Sequence, residues 1–204
     1  RDFCLSRGLG DVYKRQGMES AKKYGKVSHI GYFPDAFGNA GQMPQVLKQA
    51  KMEAIAFGRG VKPIGLNNEI KSGQYESTFS EMNWQSNDGS SLPGILFANW
   101  YNNGMEIPVD KTAAKIYWDE RLAKARQFAG TSHLLLMNGC DHQPVQKNLP
   151  EAILVAKKLY PDIEFIHSDL ETYAKAVKEE LSDKTSTVIG ELTSQETDGC
   201  WTLV

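Results

Sequence analysis

Short apolar runs that alternate with longer amphipathic stretches constrain this chain more than any other feature. Residues 26–32, 54–57 and 94–101 read as strands, as do 133–138 (around Leu134-Leu135-Leu136-Met137) and 164–167. Between them, 41–50, 110–129, 149–159 and 169–181 carry apolar residues at helical spacing. Residues 77–84 alternate less strictly, and the Asn87-Asp88-Gly89 step after them predicts a hairpin into the next apolar run. Strands punctuated by helices of ten to twenty residues build βαβ units. The expected fold class is therefore α/β with a mainly parallel sheet. Asp110 is expected to cap the long helix, Gly130 to end it, Gly25 to close a helix over 18–24, and Pro161 to stop the helix after Leu159.

Composition narrows the partners. A formal net charge of −2 over 204 residues favours neither nucleic acid nor an anionic membrane. No run approaches the ~18 apolar residues that span a bilayer. Cys4, Cys140 and Cys200 are too few and too scattered for a disulfide framework, which favours a reduced, cytoplasmic setting. Residues 1–16 have no apolar period and carry four basic against two acidic residues, which leaves −4 for the rest. They read as a non-native leader, and the final Trp201-Thr202-Leu203-Val204 as an element cut short. The expected organisation is a leader over 1–16, an α/β domain over 17–184, and a connection over 185–204.

In a sheet of this kind, chemistry gathers in loops past the C-terminal ends of strands. Three loops qualify: 33–41, 58–62 and 138–146. In the first, Asp35 follows a strand directly, with Phe37 two residues on and Asn39, Gln42 and Gln45 nearby. A carboxylate there can serve as nucleophile, base, metal ligand or plain helix cap. In the second, Arg59 sits between two glycines, where it can meet a hydroxyl-rich or anionic ligand or lie on the surface of a turn. In the third, Asp141 lies between Cys140 and His142. Two adjacent ligands do not make a metal site, so Asp141 is the candidate for acid–base work and His142 a hydrogen-bonding residue of the pocket. Tyr101, in the run Asn99-Trp100-Tyr101-Asn102-Asn103, can face the same pocket. His29, His133 and His167 read as structural.

Taken together, these loops resemble glycoside hydrolase family 38 α-mannosidases. The resemblance runs through GYFPDAFGNAGQMPQVL, FGRGV, EMNWQSNDGS, NWYNNGMEIP, LLLMNGCDHQP and GELTSQETDGCWTLV, nearly everything from Gly17 onward. It implies a partial β/α-barrel-like catalytic domain, truncated at both ends. It implies Asp35 as catalytic nucleophile and as a ligand of an active-site zinc, and Asp141 as general acid/base. Phe37, Arg59, Tyr101 and His142 become substrate-binding. Where related sequences carry an Asp-Asp pair, Cys140 replaces the first member. The remaining zinc ligands are expected outside this sequence, so the isolated chain is expected to bind zinc weakly and lack turnover. The implied partner is an α-mannoside, and a homo-oligomer of the full-length enzyme is compatible with it. Two alternatives stay open: a metal-dependent carbohydrate deacetylase on a related barrel, for which the chain shows no His-x-x-x-His, and a non-catalytic carbohydrate-binding protein.

Overall fold

A computed structural model describes residues 15–61, 79–181 and 185–192. The parts of the expected leader, the 58–62 loop, the 77–84 run and the 185–204 connection that fall elsewhere lie outside the described residues, as do Cys4 and Cys200.

The five strands are β1 (Ile30–Phe33), β2 (Ala54–Phe57), β3 (Glu81–Gln85), β4 (Ser91–Leu96) and β5 (Thr187–Ile189). They form one sheet in the order β1-β2-β4-β3-β5. Pairing is parallel for β1–β2, β2–β4 and β3–β5, and antiparallel for β3–β4. The antiparallel pair is the hairpin expected at Asp88-Gly89, where Gly89 takes φ +84 and Asp88 accepts from the Ser90 backbone N–H. The sheet is thus mixed and mostly parallel. The helices are α1 (Met43–Gln49), α2 (Lys111–Phe128), α3 (Leu149–Leu159) and α4 (Leu170–Glu180). Residues 15–22 are also helical. Gly25 closes that helix at φ +155, its N–H donating to the Ala21 carbonyl.

The helix starts follow their capping residues. Asp110 accepts from the Ala113 N–H at 2.9 Å, and Asp169 from the Thr172 N–H at 2.8 Å. Each such cap is worth about 1 kcal/mol. Pro150 in the first turn of α3 needs no donor there.

Strand alternation divides the core between the faces of the sheet. Ile55 and Phe57 of β2 join Met82, Trp84, Leu92 and Leu96 on one face, under Leu47 of α1. Ala54 and Ala56 join Ile30, Ile95 and Phe97 on the other, under Tyr173, Ala174 and Val177 of α4. The small alanines admit α4 closely, and Lys26 and the His29 N–H both bond Glu171 at its start. Helices α2 and α3 pack on each other through Ala114, Trp118 and Leu122 against Ala152 and Ala156. No helix among the described residues is long and apolar enough to cross a membrane.

Two expected strands are absent. Residues 133–138 and 164–167 belong to no strand. The first segment has its backbone satisfied by other groups: Leu135 O and Met137 N–H bond the Asn103 side chain, and Met137 O accepts from the Gly104 N–H. An apolar run predicts a buried strand, and here Leu134 to Met137 are only partly buried, packed against the core without a neighbouring strand.

Candidate active site

The register of the parallel strands assembles the site. Phe33 pairs with Phe57, and Phe57 with Leu96, so β1, β2 and β4 end in one row. The ladder runs one residue further, with Gly58 N–H donating to Phe33 O and Phe97 N–H to Phe57 O. Past that row the chain supplies Asp35, Arg59, and Trp100 with Tyr101, all on one edge of the sheet.

Gly58 permits this convergence. A Cβ there would sit 2.0 Å from the Pro34 carbonyl oxygen and 3.1 Å from the Trp100 ring. No side chain fits between those loops. Beyond it, Arg59 donates through Nε to Asp35 Oδ1. The guanidinium carbon lies 4.7 Å from the Phe37 ring centre and 4.9 Å from that of Trp100. The cation is therefore held between two aromatic faces and fixes the Asp35 carboxylate. The Arg59 side chain is 14% exposed and that of Asp35 37%, so the carboxylate is the more accessible partner. Trp100 has φ 72, a left-handed conformation that costs a bulky residue about 1–3 kcal/mol. Its packing on Arg59, and on Tyr101 at 4.4 Å between rings, offsets that cost.

Tyr101 links the two acidic loops. Its hydroxyl donates to Asp141 Oδ2 at 2.9 Å. Its pKa is pushed from 10.0 up to about 12, by burial first, then by the Asp141 hydrogen bond and the charges on Asp35 and Asp141. Tyr32 feels the same surroundings: burial and the Asp141 charge both raise it. Cys140 is a free thiol whose Sγ accepts from Asn102 Nδ2 at 3.6 Å. His142 is exposed, at φ 59, and its side chain makes no hydrogen bond to the described residues.

The structure thus brings Asp35, Phe37, Arg59 and Trp100 into one contact group, and Tyr101 and Asp141 into a second beside it. Tyr32 and Trp100 were not singled out from sequence. The available signal was position: Tyr32 lies one residue before the end of β1, on the Ile30 face, with its ring 6.0 Å from that of Phe97. The His29 ring lies 3.0 Å from Lys51 O, and His133 Nε2 lies 3.3 Å from a Glu180 carboxylate oxygen.

The raised phenol gives a titration test. A Tyr held neutral stabilises the fold fully below pH 10.0, and that contribution is lost as pH rises toward about 12. Replacing Asp141 by Asn removes the charged acceptor, so the Tyr101 pKa should fall part of the way back, burial remaining. Phenolate absorbance, with Tyr101→Phe as the subtracted reference, reads the shift. An unchanged value would mean that Asp141 does not hold the phenol.

A zinc site does not assemble from these residues alone. Among the described residues, no group of three or more His, Cys, Asp or Glu could hold a metal. Asp35 offers one carboxylate, and Arg59 already engages one of its oxygens.

The C-terminal strand ends of a mostly parallel sheet thus gather a carboxylate, aromatic faces and a fixed arginine, with a second carboxylate held beside them by Tyr101. The profile of the glycosyl hydrolases family 38 N-terminal domain matches residues 18–191, and the chain belongs to that family. It is 51% identical over 189 residues to a provisionally named mannosylglycerate hydrolase of Halalkalibacterium halodurans, covering 92% of this chain and 21% of that protein. A solved α-mannosidase from Enterococcus faecalis V583 superposes with a TM-score of 0.81 at 51% identity, over 90% of this chain and 20% of that one. A second family 38 protein from Enterococcus faecalis gives 0.61 at 39% identity, over 84% and 16%. The chain spans about a fifth of the length of the first two.

Proposed function

We propose that this chain is part of the catalytic domain of a retaining α-mannosidase, with Asp35 as nucleophile and Asp141 as acid/base. The observation that carries the reading is Tyr101, which donates to Asp141 and whose ionisation is opposed by the charge on Asp35. One phenol bonded to Asp141 and stacked on the Trp100 ring that covers Arg59, the partner of Asp35, is compatible with the paired groups a retaining glycosidase needs. Asp35 attacks the anomeric carbon while Asp141 protonates the departing oxygen. Water then opens the glycosyl ester with Asp141 as base, and configuration is retained. Arg59 keeps the attacking carboxylate oriented, and Phe37, Tyr101 and His142 line the sugar site. Zinc belongs to this reading as a cofactor to which the chain contributes Asp35.

The test is covalent trapping. A fluorinated mannosyl fluoride that forms the ester quickly and hydrolyses slowly should label the full-length protein, with the mass increment on the peptide holding Asp35. A label on another residue, or none under conditions of turnover, overturns the assignment.

The Halalkalibacterium halodurans relative favours a second reading of the substrate, a mannoside whose aglycone is the small carboxylate glycerate. Comparing kcat/KM for mannosylglycerate and for mannobiosides separates the two.

A further inference from the structure

Asp141 is exposed, on a loop that follows no strand. A general acid nonetheless has to be held within roughly 0.5 Å of its productive place. Two side-chain amides tie down the segments on either side of that loop. Asn103 is buried and clasps the segment leading into the loop. Its Nδ2 donates to Leu135 O at 3.0 Å, and its Oδ1 accepts from the Met137 N–H at 2.7 Å. A planar amide offers one donor edge and one acceptor edge, so it can replace a neighbouring strand.

Gln146 closes the far end. Its Oε1 accepts from the Ile107 N–H and from Asn138 Nδ2, both at 3.0 Å. Its Nε2 donates to Ile107 O at 2.8 Å and to Asn148 Oδ1 at 2.9 Å. All four hydrogen-bonding positions of one amide are in use. Asn138 spends its other donor on Gly104 O at 2.8 Å. Residues 138 and 146 are thus tied to each other and to the 103–107 segment, which begins two residues after the tyrosine that bonds Asp141.

We infer that Asn103 and Gln146 are positioning residues for Asp141, setting how efficiently its carboxyl reaches the leaving-group oxygen. The inference rests on Asp141 being the acid/base. Neither amide is asked to touch substrate, so the effect passes through the loop.

The experiment uses the full-length protein and two substrates, an aryl α-mannoside with a strongly activated leaving group and an alkyl α-mannoside without one. Acid assistance matters for the second and little for the first. Asp141→Ala should lower kcat/KM on the alkyl mannoside by about 10²–10⁴-fold and leave the aryl value nearly intact. Gln146→Ala should show the same split at tenfold or more, with KM little changed and the unfolding temperature monitored alongside. Asn103→Ala removes both bonds without adding a charge. It should show a split as well, and it carries the test if Gln146→Ala does not fold. Equal losses on both substrates, or no loss, in the folded variants overturns the positioning role. If Asp141→Ala itself shows no split, the acid/base assignment falls, and the inference with it. If Asp141→Ala splits and neither amide variant does, only the inference falls.

Discussion

Asp35→Ala in the full-length protein is expected to lower kcat on α-mannosides by about 10⁴-fold or more, the scale seen when a nucleophile is removed from a group that acts as a unit. The geometry explains why no neighbour substitutes. Arg59 holds Asp35 directly, and the flanking groups are aromatic faces and a phenol raised to about 12, none of them nucleophilic near neutral pH. Asp141 is engaged by Tyr101 on the separate 138–146 loop. The variant also removes the Asp35 bond to Arg59, so some stability should be lost too. A small anion such as azide could enter the space vacated by the carboxylate. It would attack from the same side and yield a mannosyl azide of inverted configuration. Formation of that product, with partial recovery of rate, identifies Asp35 as the attacking group. A variant that loses only affinity, with kcat preserved and no azide product, would make Asp35 a binding residue.

Much of this arrangement is legible in the sequence, because local chemistry decides it. Helix α3 begins and ends where its spacing and Pro161 put it, and Asp110 caps as its position predicts. The strand-end rule picks out Asp35 and Arg59, since parallel strands in register share one C-terminal edge. It also picks out Asp141, although the strand expected before its loop is absent. What escapes are features set by distant partners. Residues 133–138 read as a strand because Leu134 to Met137 are apolar, yet their backbone partners come from residue 103, more than thirty positions earlier. Gln146 looks like an ordinary polar loop residue until Ile107 is placed beside it. Tyr32 and Trp100 become part of the site only through contacts across the sheet. Periodicity measures how a residue relates to its neighbours in the chain, and these residues are defined by neighbours in space.

Glu81 is the strongest instance, and substituting it should give the largest loss of stability. It lies in β3, 3% exposed, in a strand that otherwise reads as packing. Its Oε1 accepts from Ser80 Oγ at 2.8 Å and from the Tyr173 hydroxyl at 3.0 Å. Its Oε2 accepts from the Gly130 N–H at 2.7 Å. One carboxylate thus ties the sheet to the end of α2 and to α4. Burial, then the Glu81 charge, hold the Tyr173 phenol well above 10.0. Glu81→Ala removes the acceptor and leaves the buried Tyr173 hydroxyl without its partner, so a loss of about 3 kcal/mol is expected. Glu81→Gln is the informative comparison. Its carbonyl oxygen can still serve Gly130, which can only donate. Its NH₂ can face Ser80 and Tyr173, whose hydroxyls can turn to accept, and Ser80 has the Phe128 carbonyl at 3.2 Å to donate to instead. The glutamine variant should therefore lose less than about 1.5 kcal/mol, the scale of one neutral hydrogen bond. Denaturant unfolding followed by tryptophan fluorescence measures both. Equal losses in the two variants would mean that the charge, and not the hydrogen-bond pattern, holds α4 to the sheet.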